Sequence, residues 1–129
     1  ARVLSQLKIV IRTNYSNPPT HGAAIVETVL GDPELRAQWV AELGQMRDRI
    51  KQMRTALVAG LVAAGVEGRE YITDQVGMFS FSGLTKEQMH RLRAEFAVYG
   101  TDTGRICVAA LNDDNIAYVS ESIAAVLQD

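Results

Sequence analysis

The tripeptide Asp32-Pro33-Glu34 stands at the head of the longest periodic stretch in this 129-residue chain. Asp is a favoured helix N-cap, Pro suits the first helical position, and Glu complements the partial positive charge of a helix N-terminus. From there Leu35, Trp39, Leu43, Met46, Ile50, Met53, Leu57 and Leu61 recur at steps of three and four. That spacing predicts one amphipathic helix ending near Gly65. At the α-helical rise it would span roughly 45 to 50 Å, longer than a single small domain needs. The expectation is a spine running between two bodies. Its opposite face carries Arg36, Glu42, Arg47, Arg49, Lys51 and Arg54 and reads as solvated.

Upstream, Val3 to Arg12 contains Val3, Leu4, Leu7, Ile9, Val10 and Ile11 and reads as a buried helix. Its β-branched run Ile9-Val10-Ile11 works against helix formation. Residues 13–19 are dense in turn formers, and Pro18 pushes Asn17 out of the α region, so a loop follows. A second helix from about Thr20 to Leu30 is expected to bury Ala23, Ala24, Val26 and Leu30 before Gly31 breaks it.

Downstream the period changes. Tyr71-Ile72 and Met78 to Phe81 read as extended, with Gly77 and Gly83 as punctuation. Thr85 and Gln88 form a capping box for a helix to about Val98, whose apolar face is Met89, Leu92 and Phe96. After a turn over Gly100 to Gly104, Ile106 to Leu111 reads as a short buried strand. Asn112 then caps a final helix with Ile116, Val119, Ile123 and Leu127 inward. The fold class expected is α/β (mixed α+β): a long connecting helix packed on a small β-α-β-α domain.

Composition narrows the function classes. With 47% hydrophobic and 22% charged residues the chain can offset its conformational entropy and fold. No apolar run approaches the roughly 20 residues that span a bilayer, so no membrane role is expected. Thirteen Lys and Arg against fifteen Asp and Glu, with no basic block, make nucleic acid a poor partner. Cys107 is the single cysteine, which rules out an internal disulfide framework and fits a reducing, cytoplasmic compartment. No secretory signal pattern opens the chain. It begins at Ala1 rather than at a methionine, as a piece of a longer polypeptide would.

The usual catalytic constellations are missing. His21, His90 and Cys107 lack metal-ligand spacing, and His90, between Arg91 and Arg93, reads as a surface residue. No Gly-rich phosphate loop is present. Ser5 to Lys8 fits S-x-x-K, but the companion motifs of serine enzymes using that pattern are absent. Cys107, among apolar neighbours, reads as an inert core thiol. Two arginines stand apart. Arg105 follows Gly104 at the start of the expected buried strand, where a guanidinium needs a defined partner. Arg12 ends an apolar segment just before the Pro18-Pro19 loop. An arginine fork binds a carboxylate through two parallel charge-assisted hydrogen bonds. For each, a structural ion pair and a substrate clamp both remain open on these grounds.

Three motifs add a resemblance. Tyr15-Ser16-Asn17-Pro18-Pro19, Gly77 to Leu84 and Gly104 to Ala109 occur in the order and spacing seen in aspartate aminotransferases and the related bacterial aromatic amino-acid aminotransferases. The long helix, with Trp39 and Met46-Arg47 through Met53-Arg54, also resembles theirs. The likeness covers nearly the whole chain and corresponds to the C-terminal third of such an enzyme.

The resemblance implies a fold-type I, pyridoxal-phosphate-dependent transferase. Such enzymes move an amino group between an amino acid and a 2-oxo acid, with the cofactor ring as electron sink. It further implies that Arg105 grips the substrate α-carboxylate. Arg12 would bind the distal carboxylate in the neighbouring subunit's site of a homodimer, Ser16 and Asn17 would lie near that shared site, and Phe79 would wall the pocket. The implied domains are 1–31, the tail of the large cofactor domain; 32–65, the interdomain helix; and 66–129, the small C-terminal domain. The lysine that forms the cofactor aldimine in the family corresponds to no lysine here, since Lys8, Lys51 and Lys86 all fall elsewhere. The chain alone is therefore expected neither to bind pyridoxal 5'-phosphate nor to turn over. The competing reading is a stand-alone, non-catalytic interaction module. A native module would keep the apolar residues of 1–31 covered, whereas a separated piece would expose them.

Overall fold

The computed structural model describes residues 1–128. The chain divides into two units, Ala1–Leu43 and Gly44–Asp129. One helix, α3 (Pro33–Ala63), begins in the first and continues into the second. Its start is set as the sequence implies: the Asp32 carboxylate accepts from the backbone N–H groups of Glu34 at 2.9 Å and Leu35 at 3.1 Å.

The first unit holds α1 (Arg2–Asn14), α2 (Thr20–Gly31) and the opening turns of α3. Both short helices form where expected, so the β-branched run in α1 is overridden. Taken by themselves both segments read as buried, and they are not; the exposure is what a separated piece, rather than a native module, is expected to show. No residue of α1 or α2 is buried, and Val3, Leu4, Leu7, Val10, Val26 and Leu30 are all exposed. Leu35, Trp39 and Leu43 of α3 are exposed as well. Apolar periodicity marks a face that suits burial, but this unit supplies nothing to cover it.

The second unit contains the core. Met53, Leu57, Val58 and Leu61 of α3 pack with Ile72, Leu84, Met89, Leu92, Ile106, Val108, Ile123 and Val126. Two three-residue strands, β1 (Phe79–Phe81) and β2 (Arg105–Cys107), pair antiparallel with Phe79 opposite Cys107 and Phe81 opposite Arg105. Helix α4 (Lys86–Phe96) connects them, and α5 (Ile116–Gln128) closes the chain against α4. The mixed helix-and-strand class and the β-α-β-α order are as expected. The Thr85 hydroxyl accepts from Gln88 N–H while the Gln88 side chain accepts from Thr85 N–H, so the capping box forms. Helix α4 ends at Ala97, which adopts a left-handed conformation.

Three local expectations are corrected. Glu70–Ile72 is a 3₁₀ turn rather than extended. The strand expected through Leu111 stops at Cys107, and Val108–Ala110 forms a 3₁₀ turn. The inward face of α5 is rotated: Ser120, Ser122, Ile123, Ala124 and Val126 are buried, whereas Ile116, Val119 and Leu127 are partly so. The serines can turn inward because each hydroxyl donates to a carbonyl one turn back, Ile116 and Tyr118 respectively.

Candidate functional site

The backbone of Arg105 is fixed by Thr101. The Thr101 N–H donates to the Arg105 carbonyl at 3.0 Å, and the Arg105 N–H donates to the Thr101 hydroxyl at 3.2 Å. Gly104, immediately before it, has φ +81°, and a Cβ there would lie 2.7 Å from the Leu84 carbonyl oxygen. Glycine is required at that turn on both counts. On β2 the Arg105 side chain is exposed, which corrects the expectation of a guanidinium held in a buried strand. It shares a face with Phe79, the diagonal cross-strand neighbour, and its guanidinium carbon lies 5.0 Å from the Phe79 ring centroid. The defined partner of Arg105 is thus a ring. Among the described residues no carboxylate pairs with it. A guanidinium stacked on a ring keeps its in-plane N–H edge open to a carboxylate.

On the outer edge of β1, side chains take three of the backbone groups that face away from β2. Strand pairing turns Ser80 toward β2 and leaves the peptide groups of Phe79 and Phe81 facing away. The Gln75 amide takes both groups of Phe81, accepting from its N–H at 2.7 Å and donating to its carbonyl at 3.0 Å. Arg54 donates to the carbonyls of Gly77 and of Phe79, the latter at 3.2 Å, and to the Ser80 hydroxyl at 3.1 Å. Arg69 donates to the Ser82 carbonyl at 3.0 Å. Further along, Arg49 donates to the carbonyls of Leu111 at 2.6 Å and Ala109 at 2.8 Å.

The polar face expected of α3 is therefore not wholly solvated. Arg54 is only 3% exposed. Its position has a sequence signature that charge alone hides: 54, 57, 58 and 61 fall on one helical stripe, and the other three are buried apolar residues.

Arg12, Ser16 and Asn17 belong to the first unit and all are exposed. Arg12 lies in the last turn of α1, where a cation complements the helix C-terminus. Among the described residues it has no carboxylate partner. Its carbonyl accepts from the Ser16 N–H at 3.1 Å, and Ser16 itself, at φ +57°, is left-handed. A non-glycine residue in that region is strained by about 1 kcal/mol. Asn17 follows, ahead of Pro18-Pro19.

The remaining candidates fall to structural roles. Ser5 donates to the Arg2 carbonyl at 2.8 Å within α1. His90 contacts Asp102 at 3.2 Å, and Arg93 bonds the other oxygen of that carboxylate, so His90 is a surface residue with a partner. Those two groups, His90 foremost, hold the Asp102 carboxyl below its usual range. Cys107 is a free, half-buried thiol. No group of His, Cys, Asp and Glu among the described residues could hold a metal ion. No helix among them is long and apolar enough to cross a membrane.

Set beside known proteins, this geometry has a clear kinship. A sequence profile described as aminotransferase class I and II matches residues 1–123. The chain belongs to that family. It is 58% identical to the aspartate aminotransferase of Pseudomonas aeruginosa, covering 98% of this chain and 32% of that protein. Among solved structures it is similar to an aromatic-amino-acid aminotransferase from Burkholderia pseudomallei covalently bound to pyridoxal phosphate. The TM-score is 0.91 at 65% identity, over 98% of this chain and 32% of that one. A psychrophilic aromatic amino acid aminotransferase from Psychrobacter sp. B6, crystallised with aspartic acid, gives a TM-score of 0.91 at 48% identity, over 99% and 32%. The chain thus spans about a third of the length of the relatives it matches.

The family cofactor does not fit this chain's residues taken alone. Lys8, Lys51 and Lys86 are exposed and sit on α1, α3 and α4. One cavity of about 580 Å³ is lined by Leu30, Gly31, Pro33, Arg36, Ala37, Val40 and Ala41, with no lysine to carry an aldehyde. Another, of about 300 Å³ beside Cys107 and Tyr118, is mostly apolar and likewise lacks one. Arg12 in the first unit and Arg105 in the second each lack a carboxylate partner among the described residues.

Proposed function

We propose that the whole protein containing this chain is a pyridoxal-phosphate-dependent aminotransferase acting on aspartate, aromatic amino acids or both, with 2-oxoglutarate as amino acceptor. In this reading Arg105 grips the substrate α-carboxylate. Arg12 reaches the partner subunit's site in a homodimer and binds the distal carboxylate, with Ser16 and Asn17 shaping the loop beside it. Phe79 walls the pocket. Residues 1–31 are the tail of the large domain, 32–65 the connecting helix and 66–129 the small domain. The cofactor is held by residues outside this chain, and the protein works in the cytoplasm.

The observation that carries this reading is the Arg105 guanidinium, stacked on Phe79 and without a carboxylate partner among the described residues. A cation placed on a ring with its hydrogen-bonding edge open is prepared for a planar anion. Two such forks at opposite ends of a dicarboxylate fix its identity and its orientation, which is how positioning accelerates a reaction at the carbon between them. The aspartic acid in the Psychrobacter structure and the pyridoxal phosphate in the Burkholderia one support the substrate and cofactor classes.

The test is Arg105→Lys in the full-length enzyme. An ammonium cannot reproduce the fork, so kcat/KM for aspartate should fall at least about tenfold. Unchanged kcat/KM sinks the assignment. Mixing subunits carrying Arg12→Ala with subunits carrying Arg105→Lys tests the partner role, because each heterodimer regains one intact pair of forks. Activity that stays at the level of the separate variants would exclude Arg12 from the neighbouring site.

A further inference from the structure

We infer that Arg54 is a positioning residue for carboxylate binding: by gripping the outer edge of β1 it fixes the Phe79 ring beneath the Arg105 guanidinium. The inference rests on the reading of Arg105 as the carboxylate clamp.

Little else holds β1. It has three residues and one partner strand of equal length, and a two-stranded ribbon of this kind is not stable by itself. Pairing with β2 satisfies one edge. The other edge, at the exposed residues Phe79 and Phe81, is met by side chains. Arg54 takes the Phe79 carbonyl, together with the Gly77 carbonyl before the strand and the buried Ser80 hydroxyl, while Gln75 serves Phe81.

Arg54 is also an unusual choice for that task. It is nearly fully buried, and among the described residues it forms no ion pair. Its charge is met by two carbonyls and a hydroxyl, on β1 and on Gly77 two residues before it. Burying a cation on neutral acceptors alone is unfavourable unless each contact is well made, so the guanidinium and the strand hold each other in one geometry. The Phe79 carbonyl belongs to the residue whose ring lies 5.0 Å from Arg105. A shift of β1 relative to α3 would carry that ring with it. Arg49, on the same helix, makes a comparable pair of bonds to Ala109 and Leu111, beyond β2, and donates to no group of β1. It is the natural control for loss of a helix-to-loop anchor.

The experiment uses the full-length holoenzyme with Arg54→Gln, Arg54→Lys, Arg49→Gln and Arg105→Lys. Succinate, a dicarboxylate that cannot transaminate, is titrated by calorimetry, and kcat, KM for aspartate and Tm are measured alongside. Misplacing the ring should raise the succinate Kd and the KM by about tenfold while kcat stays within about twofold. Arg54→Lys, which keeps one donor to the strand, should recover part of the loss. Arg49→Gln should lower Tm to a similar extent and leave the Kd unchanged. A folded Arg54→Gln enzyme with wild-type succinate affinity overturns the inference. If that variant does not fold, Arg54→Lys decides by the same criterion. Equal weakening by Arg49→Gln also overturns it, since general loosening then suffices. Arg105→Lys separates the two levels: if it leaves succinate binding intact, the clamp reading fails and this inference falls with it. If it abolishes binding while the Arg54 variants do not change it, only the role of Arg54 is lost.

Discussion

Gly60 of α3 lies so close to Ser120 of α5 that a Cβ on the glycine would sit 2.5 Å from the serine hydroxyl oxygen and 2.7 Å from its Cβ. The serine is in turn fixed, because its hydroxyl donates to the Ile116 carbonyl at 2.8 Å. Two backbones approach here only because one position has no side chain.

Gly60→Ala therefore sets two effects against each other. Alanine favours a helix interior by about 1 kcal/mol over glycine. Overlap with a buried, hydrogen-bonded serine costs about 1–3 kcal/mol and should win. Urea unfolding should show net destabilisation, and a double-mutant cycle with Ser120→Gly should show strong coupling. A more stable Gly60→Ala protein would contradict the close approach.

Gly104→Ala combines a left-handed backbone with contact against the Leu84 carbonyl. It should destabilise by about 2 kcal/mol. Because Arg105 is the next residue, the loss should be accompanied by weaker carboxylate binding. Chemical denaturation and a succinate titration on the whole enzyme read the two separately.

Thr85→Ala removes the hydroxyl that accepts from Gln88 N–H at the start of α4. About 1 kcal/mol should be lost, measured as a shift in denaturation midpoint at unchanged slope. Thr85→Asp should restore most of it.

Asp102 gives a pH signature. Its carboxyl is held below the usual range by hydrogen bonds from His90 and then Arg93. A depressed folded value means that the stabilisation is present above the unfolded carboxylate range and disappears as pH falls through the folded value. Wild type should thus exceed Asp102→Asn in Tm at about pH 6, and the two should converge toward about pH 2. A difference that persists at the acid end would exclude the carboxylate as its source.

Among the described residues the buried core lies between Met53 and Val126, and no residue of α1 or α2 is buried. Residues 44–129 expressed alone should keep a cooperative unfolding transition. The 129-residue chain should self-associate through the apolar face of residues 1–43. Sedimentation of the two polypeptides checks this: a monomeric full chain at high concentration would show that face to be covered.

How far the residues announced this arrangement depended on whether their signal was local. Asp32-Pro33 and Thr85 with Gln88 specify helix starts through contacts within one turn, and both form as read. Burial depends on what lies opposite, so the apolar faces of α1 and α2 mark surfaces suited to cover that residues 1–43 do not themselves supply. The strand after Gly104 ended early because Val108–Ala110 turns rather than extends, and nothing in an apolar run distinguishes these. Arg54 was hidden for a related reason. A charged residue on a helix reads as solvated until the acceptors that meet it, distant in the chain, are in view. The forks at Arg12 and Arg105 were visible as isolated arginines, but neither the ring under Arg105 nor the lack of an ion pair was.

The side chains lining the outer border of β1 have a second consequence. A strand with one free border is a template on which another polypeptide can add itself, and proteins commonly blunt such borders with charge or cover. Here Arg54 occupies the Phe79 carbonyl and Gln75 both peptide groups of Phe81, with Arg69 on the Ser82 carbonyl just beyond. A partly folded molecule that has lost them would present a bare ribbon of Phe79, Ser80 and Phe81 to its neighbours. The same side chains thereby leave little of this border open to a strand from another molecule.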